Sequence, residues 1–134
     1  MCIHEPKAVD SSITCYKVVE LYQGKYFPIY DAAGTSKDAQ TGWEIGKTYN
    51  ADCLDWASER YSACYHGMTS RSEIGLCIAD FARFFTMKHY RVVKVVLTGE
   101  CFEEDTNDET KFPQSEVAGT IMTIIGEVPW LLEV

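Results

Sequence analysis

Four cations fall within twelve residues of a chain otherwise poor in them: Arg83, Lys88, Arg91 and Lys94, in the stretch FARFFTMKHYRVVK. Phe84, Phe85 and Tyr90 lie among them. Arginine grips phosphate through a planar fork, lysine adds a point charge, and a ring can stack on a base. The segment therefore reads as a phosphate-and-base pocket, weighed against a plain alternative in which Lys88 lies over a phenylalanine face and the others are solvated. Arg71, in the Ser-flanked stretch TSRSE, could close over the same ligand. Trp43 and Lys47 share a face if WEIGKTY is a strand, giving a second aromatic–cation pair. Thr120, in the closing strand, could supply a hydroxyl to ribose or base.

Other chemistry is less well supported. Cys53, Cys64 and His66 have no CxxC or HxxxH partner spacing, so no metal is expected. Cys64 and His66 could be a thiol and its base, but nothing nearby orients the imidazole. Asp105, Asp108 and Glu109 lack the central glycine and alternate ligands of a calcium loop, and read as a charged loop that keeps a hydrophobic sheet soluble. No GxGxxG or Walker-type loop is present, and no cofactor is expected.

The bulk properties narrow the partners. The chain has 134 residues, enough for one domain and one core. Its net charge is −8, which argues against a nucleic-acid strand or an anionic membrane surface as partner. A small anionic ligand needs only two or three local cations and stays open. Six cysteines, no basic and apolar leader in MCIHEPKAVD, and no apolar run near the ~20 residues of a membrane span point to reduced thiols and a cytoplasmic location.

The elements that would position these residues follow from periodicity. Residues 1–12 mix Pro, His, Ser and Asp without a period and read as a loose lead-in to a single α+β domain over 13–134. From Ile13 the chain alternates, with Ile13, Cys15, Val19 and Leu21 on one face and Lys17 the intruder among them. Gln23-Gly24 turns it into KYFPIYD, where Pro28 limits the second strand to a sheet edge. Trp43–Tyr49 reads as a short or bulged strand, and 50–74 has only weak periodicity, with MTSRSE as an exposed loop. Gly75–Ile78 reads as a brief apolar strand. Asp80 then caps a principal helix over about 80–89, with Phe81, Phe84, Phe85 and Lys88 on one face. YRVVKVVLTGECF has two apolar faces and should be a central strand, and Val117–Val128 supplies the last one. The expected fold is α+β, a small antiparallel-rich mixed sheet with one principal helix.

The segments CYKVVELYQGKYFPIY, WEIGKTY, GLCIADFARFF and GTIMTIIGEV, in that order over roughly 13–128, resemble a class of small phage and prophage proteins. That class includes the anti-Thoeris sponges, which sequester a cyclic ADP-ribose immune signal. The resemblance implies a compact α+β fold, assembly as dimers or larger, and a pocket that binds a nucleotide without cleaving it. It places the helix with Phe84 and Phe85 and the strand around Thr120 nearest that pocket. The function expected is thus a non-enzymatic, cytoplasmic sponge (in the host cell if phage-encoded), with Trp43, Lys47, Arg71, Arg83, Phe85, Lys88, Arg91 and Thr120 as candidate ligand contacts. Two alternatives stand beside it. One is an acidic inhibitor that covers a basic surface on a host defence nuclease, with EEDTNDE as the working face. The other is a nucleotide-processing enzyme using Glu116 or His66 as acid or base.

Overall fold

The longest apolar alternation in the chain forms the longest strand, and the rest of the sheet is arranged around it. A computed structural model describes residues 6–29, 41–51, 65–82, 89–105, 109–110 and 114–129. Within them the strands are β1 (Pro6–Val9), β2 (Ile13–Tyr22), β3 (Lys25–Pro28), β4 (Thr48–Asn50), β5 (Tyr65–Met68), β6 (Tyr90–Glu104) and β7 (Glu116–Val128), with one helix, α1 (Arg71–Ala82). All seven strands belong to one sheet, and every pairing is antiparallel.

The architecture is therefore essentially all-β, which corrects the α+β expectation. The expected helix over 80–89 is also displaced: the helix observed runs from Arg71 to Ala82. GLCI, which reads as a strand when taken alone, lies inside it, because Ile74, Cys77 and Ile78 together make one buried helical face. Ser70, not Asp80, receives the first helix amides: its hydroxyl accepts from Glu73 N–H at 3.4 Å. Asp80 falls in the last turn.

Pairing closes the sheet on itself. β6 pairs with β2 from Tyr90 to Leu97 and with β1 from Cys101 to Glu104, so two successive strands share one of its edges. β7 occupies the other edge. β7 in turn pairs with β5, and β5 touches β2 through Tyr16 and Met68, which completes the cycle β2–β6–β7–β5. Pro6–Val9, within the stretch expected to be a lead-in, is ordered as β1 on β6. Pro28 ends β3, whose ladder is with β2 and whose other side is met only by the Tyr26–Trp43 bridge among the described residues. The hairpin between them turns at Gln23 and Gly24, both with positive φ, which matches the right-handed twist of the strands.

The cycle sorts side chains into two clusters. Cys15, Val19, Tyr26, Trp43, Tyr65, Val93, Val95, Leu97, Cys101, Val117, Met122 and Ile124 fill the enclosed side. Val18, Met68 and Val92 face outward beneath Ile74, Cys77 and Ile78 of α1. Burying an aliphatic chain such as Leu97 or Ile124 contributes about 1.5–3 kcal/mol, so the enclosed cluster carries most of the stability.

The closing contact is narrow. A Cβ on Gly67 of β5 would lie 2.6 Å from Cys15 Sγ and 2.8 Å from the Tyr16 carbonyl oxygen, so the two strands meet only because this residue has no side chain. Gly67→Ala should cost on the order of 1–3 kcal/mol in urea denaturation, as overpacking usually does. Unchanged stability would show that the β2–β5 contact is dispensable.

Candidate functional site

Lys17 occupies a position on β2 whose face is otherwise apolar, between Cys15 and Val19, both fully buried. Its ammonium solves the problem in two ways. Nζ donates to the backbone carbonyl of His66 on β5 at 2.8 Å, and it stands 5.6 Å from the centre of the Trp43 ring. Lys17 thus bridges the narrow β2–β5 contact from the enclosed side. Desolvation pushes its pKa down from 10.5 to about 8, although the Glu116 carboxylate pulls it partly back. Burial pushes the Cys15 thiol up to about 12, so that sulfur is held as a thiol.

The residue whose carbonyl holds Lys17 makes a second contact with its ring. His66 Nδ1 lies 3.3 Å from Glu116 Oε1, and Glu116 is only 1% exposed against 17% for the imidazole. Register brings them together: His66 pairs with Ala118 and Met68 with Glu116, so the two side chains are diagonal neighbours on one face. The contact sets a buried carboxylate oxygen against a buried ring nitrogen without the geometry of a hydrogen bond between them.

A third feature lies at the start of α1, next to that pair. Ser70 N–H donates to Ser115 Oγ at 3.0 Å, and Thr69 N–H to the Ser115 carbonyl at 3.2 Å, tying the helix entry to the residue before Glu116. Glu73 reinforces this: its carboxylate accepts from Gln114 N–H at 2.6 Å and Ser115 N–H at 2.8 Å, and from the Ser115 hydroxyl. Arg71 in the first turn is exposed. Its guanidinium stands 5.6 Å over the Tyr16 ring and donates to the Pro129 carbonyl. Ser70 and Ser72 flank it, their hydroxyls 2.9 Å apart.

The other expected contacts are dispersed. Trp43 is 2% exposed, with Tyr65 edge-on at 6.1 Å and Tyr49 tilted at 6.5 Å, so its indole is part of the core. Lys47 pairs with Glu44 at 2.5 Å on the surface, and that carboxylate raises its pKa. Arg91 Nε pairs with Glu127 at 3.0 Å, and its Nη1 donates to the Tyr90 carbonyl at 2.9 Å. Thr120 is buried, and its hydroxyl accepts from Glu100 N–H at 3.0 Å. That bond bridges the register shift between Thr98 and Cys101, where Gly99 has a positive φ and a Cβ would meet Thr120 Oγ1. Arg83, Phe85 and Lys88 lie outside the described residues, as do Cys53, Cys64 and Asp108. Cys15, Cys77 and Cys101 are buried. No helix among the described residues is long and apolar enough to cross a membrane.

Sequence reasoning named His66 and Glu116 only separately, and passed over Lys17 except as an intruder. Its best unused signal was Ser70-x-x-Glu73, a capping-box pattern that marks the true helix start.

The chain matches no family model, no curated protein and no solved structure. The likeness to the phage sponge class therefore rests on the quoted motifs alone.

Lys17 makes stability depend on pH with a definite sign. Its pKa is lower folded than unfolded, so the unfolded chain holds more protons between about 8 and 10.5. Stability from this group must rise with pH across that window. Cys15 opposes it above pH 9, since the folded thiol keeps a proton that the unfolded one loses. Relative to Lys17→Met, the parent should therefore gain on the order of 2–3 kcal/mol between pH 7.5 and 10.5 in denaturant titrations. A constant difference between the two proteins would mean that Lys17 is solvated.

Proposed function

We propose that the protein binds a small anionic nucleotide, of the cyclic-nucleotide or cyclic ADP-ribose kind, and holds it intact. In this reading it acts in the cytoplasm as an oligomeric sponge for an immune signal. One observation carries the reading: Arg71, exposed and over the Tyr16 ring, sits in the first turn of α1 between two serine hydroxyls. An arginine fork and an aromatic face supply two of the things a nucleotide phosphate and base ask for. The present acceptor of the guanidinium is a neutral carbonyl, which an anion would outcompete. The Glu73 carboxylate of the same turn is directed to the backbone of residues 114 and 115, which limits its repulsion.

The His66–Glu116 pair favours a second reading, acid–base chemistry on the same ligand. Both are tested by equilibrating the protein with cyclic ADP-ribose isomers, cyclic dinucleotides and cyclic trinucleotides, removing free ligand, heating, and identifying what is released. The sponge reading expects one intact nucleotide, and Arg71→Ala should weaken its binding at least tenfold, as losing a charged hydrogen bond of about 1.5–3 kcal/mol implies, with the melting temperature kept. A converted product whose formation Glu116→Gln abolishes would establish the enzyme instead. Release of nothing would remove both readings and leave the acidic face as the remaining candidate for a partner.

A further inference from the structure

Of the four cations clustered in the sequence, Lys94 is the one that the sheet delivers to Arg71. Its neighbours Val93 and Val95 are fully buried in the enclosed core, so Lys94 lies on the outer face with Val92. Its register partner on β2 is Tyr16, the ring over which the Arg71 guanidinium stands at 5.6 Å. Two cations therefore flank one aromatic ring, Arg71 from the start of α1 and Lys94 from β6. Lys7, Lys47 and Arg91 each have a carboxylate partner. Lys94 is half-buried, and among the described residues no carboxylate lies within ion-pairing distance of it. On its other side the floor is open. Its partner on β7 is Gly126, where an added Cβ would meet nothing within 4 Å. The ladder shifts register just there, between Lys94 and Val95, and leaves Ile125 as an extra, exposed residue beside the opening.

We propose that Lys94 is the second phosphate contact of this site, and that the ligand carries a nucleoside diphosphate unit, one phosphate held by Arg71 and the next by Lys94 above the open position of Gly126. The assignment rests on the anion-binding reading of Arg71 and adds to it the class of ligand. A single phosphate is satisfied by an arginine fork alone. A second cation without a carboxylate, next to the same ring, matches a second negative group joined to the first, because linked charges have to be brought into place only once. The nearby carboxylates leave that arrangement intact. Glu73 is turned to the backbone of residues 114 and 115, and Glu116 is buried against His66, two strands away from Tyr16.

The test is to titrate the full chain with ADP and with AMP at low salt by calorimetry. ADP should bind about tenfold more tightly than AMP, as one further charged hydrogen bond implies. Lys94→Gln should remove that preference, weakening ADP about tenfold and AMP less than about twofold. Arg71→Ala should weaken both. Gly126→Val puts a residue suited to a strand into the open floor, so it should keep the melting temperature and still weaken ADP. Should either β-strand variant fail to fold, the comparison of ADP with AMP in the parent still decides. Equal binding of the two nucleotides, or unchanged ADP binding in Lys94→Gln, would overturn the assignment and leave the Arg71 site standing. If the parent binds neither, the assignment also falls, and the ligand-release experiment decides separately whether the Arg71 reading survives.

Discussion

The meeting of β2 with β5 is the constraint on which the rest of the molecule depends. Without it, β1, β2, β6 and β7 would form a curved ribbon with Cys15, Val93, Leu97 and Met122 on an open face. With it, the same side chains are enclosed and α1 has a continuous outer face to cover. The contact is a single register pair, Tyr16 with Met68, made possible by the bare backbone of Gly67 and supplemented by the Lys17 ammonium. A charge in a core is usually a liability. Here it does what a second ladder bond would have done, across a gap where the strands diverge.

That arrangement also connects the chemistry-bearing groups. His66 gives its carbonyl to Lys17 and its ring to Glu116, so one residue joins the enclosed side to the helix side. Glu116 follows directly on Ser115, which receives Ser70 and Glu73. The start of α1, the imidazole–carboxylate pair and the desolvated amine are thus neighbours along two strands. The cations expected to act together are not: Arg91 and Lys47 each have a carboxylate of their own at the surface.

What the sequence showed was what is local. β2, β6 and β7 announce themselves by alternation and β-branched runs, the Gln23-Gly24 turn by its composition, and the edge position of β3 by Pro28. The helix was misplaced because four apolar residues, GLCI, fit either period, and the cap that decides the matter lies upstream at Ser70. β5 is four residues long and carries a glycine for a steric reason that only its partner strand reveals. The candidate site was unreadable for the same cause. His66 and Glu116 are separated by 50 positions, and only the β5–β7 register sets them side by side.

The fifteen-residue β6 belongs to three ladders at once, with β1, β2 and β7. A strand shared in this way cannot yield in one place without loosening all three neighbours, so the frame behaves as one cooperative unit. Any local opening must then begin at parts attached to the frame by one edge or one face. Among the described elements those are β1, β3, β4 and α1. The division of labour resembles a hull and its fittings: the short pieces can shift singly, while the long strand keeps the inside from being remade when one does.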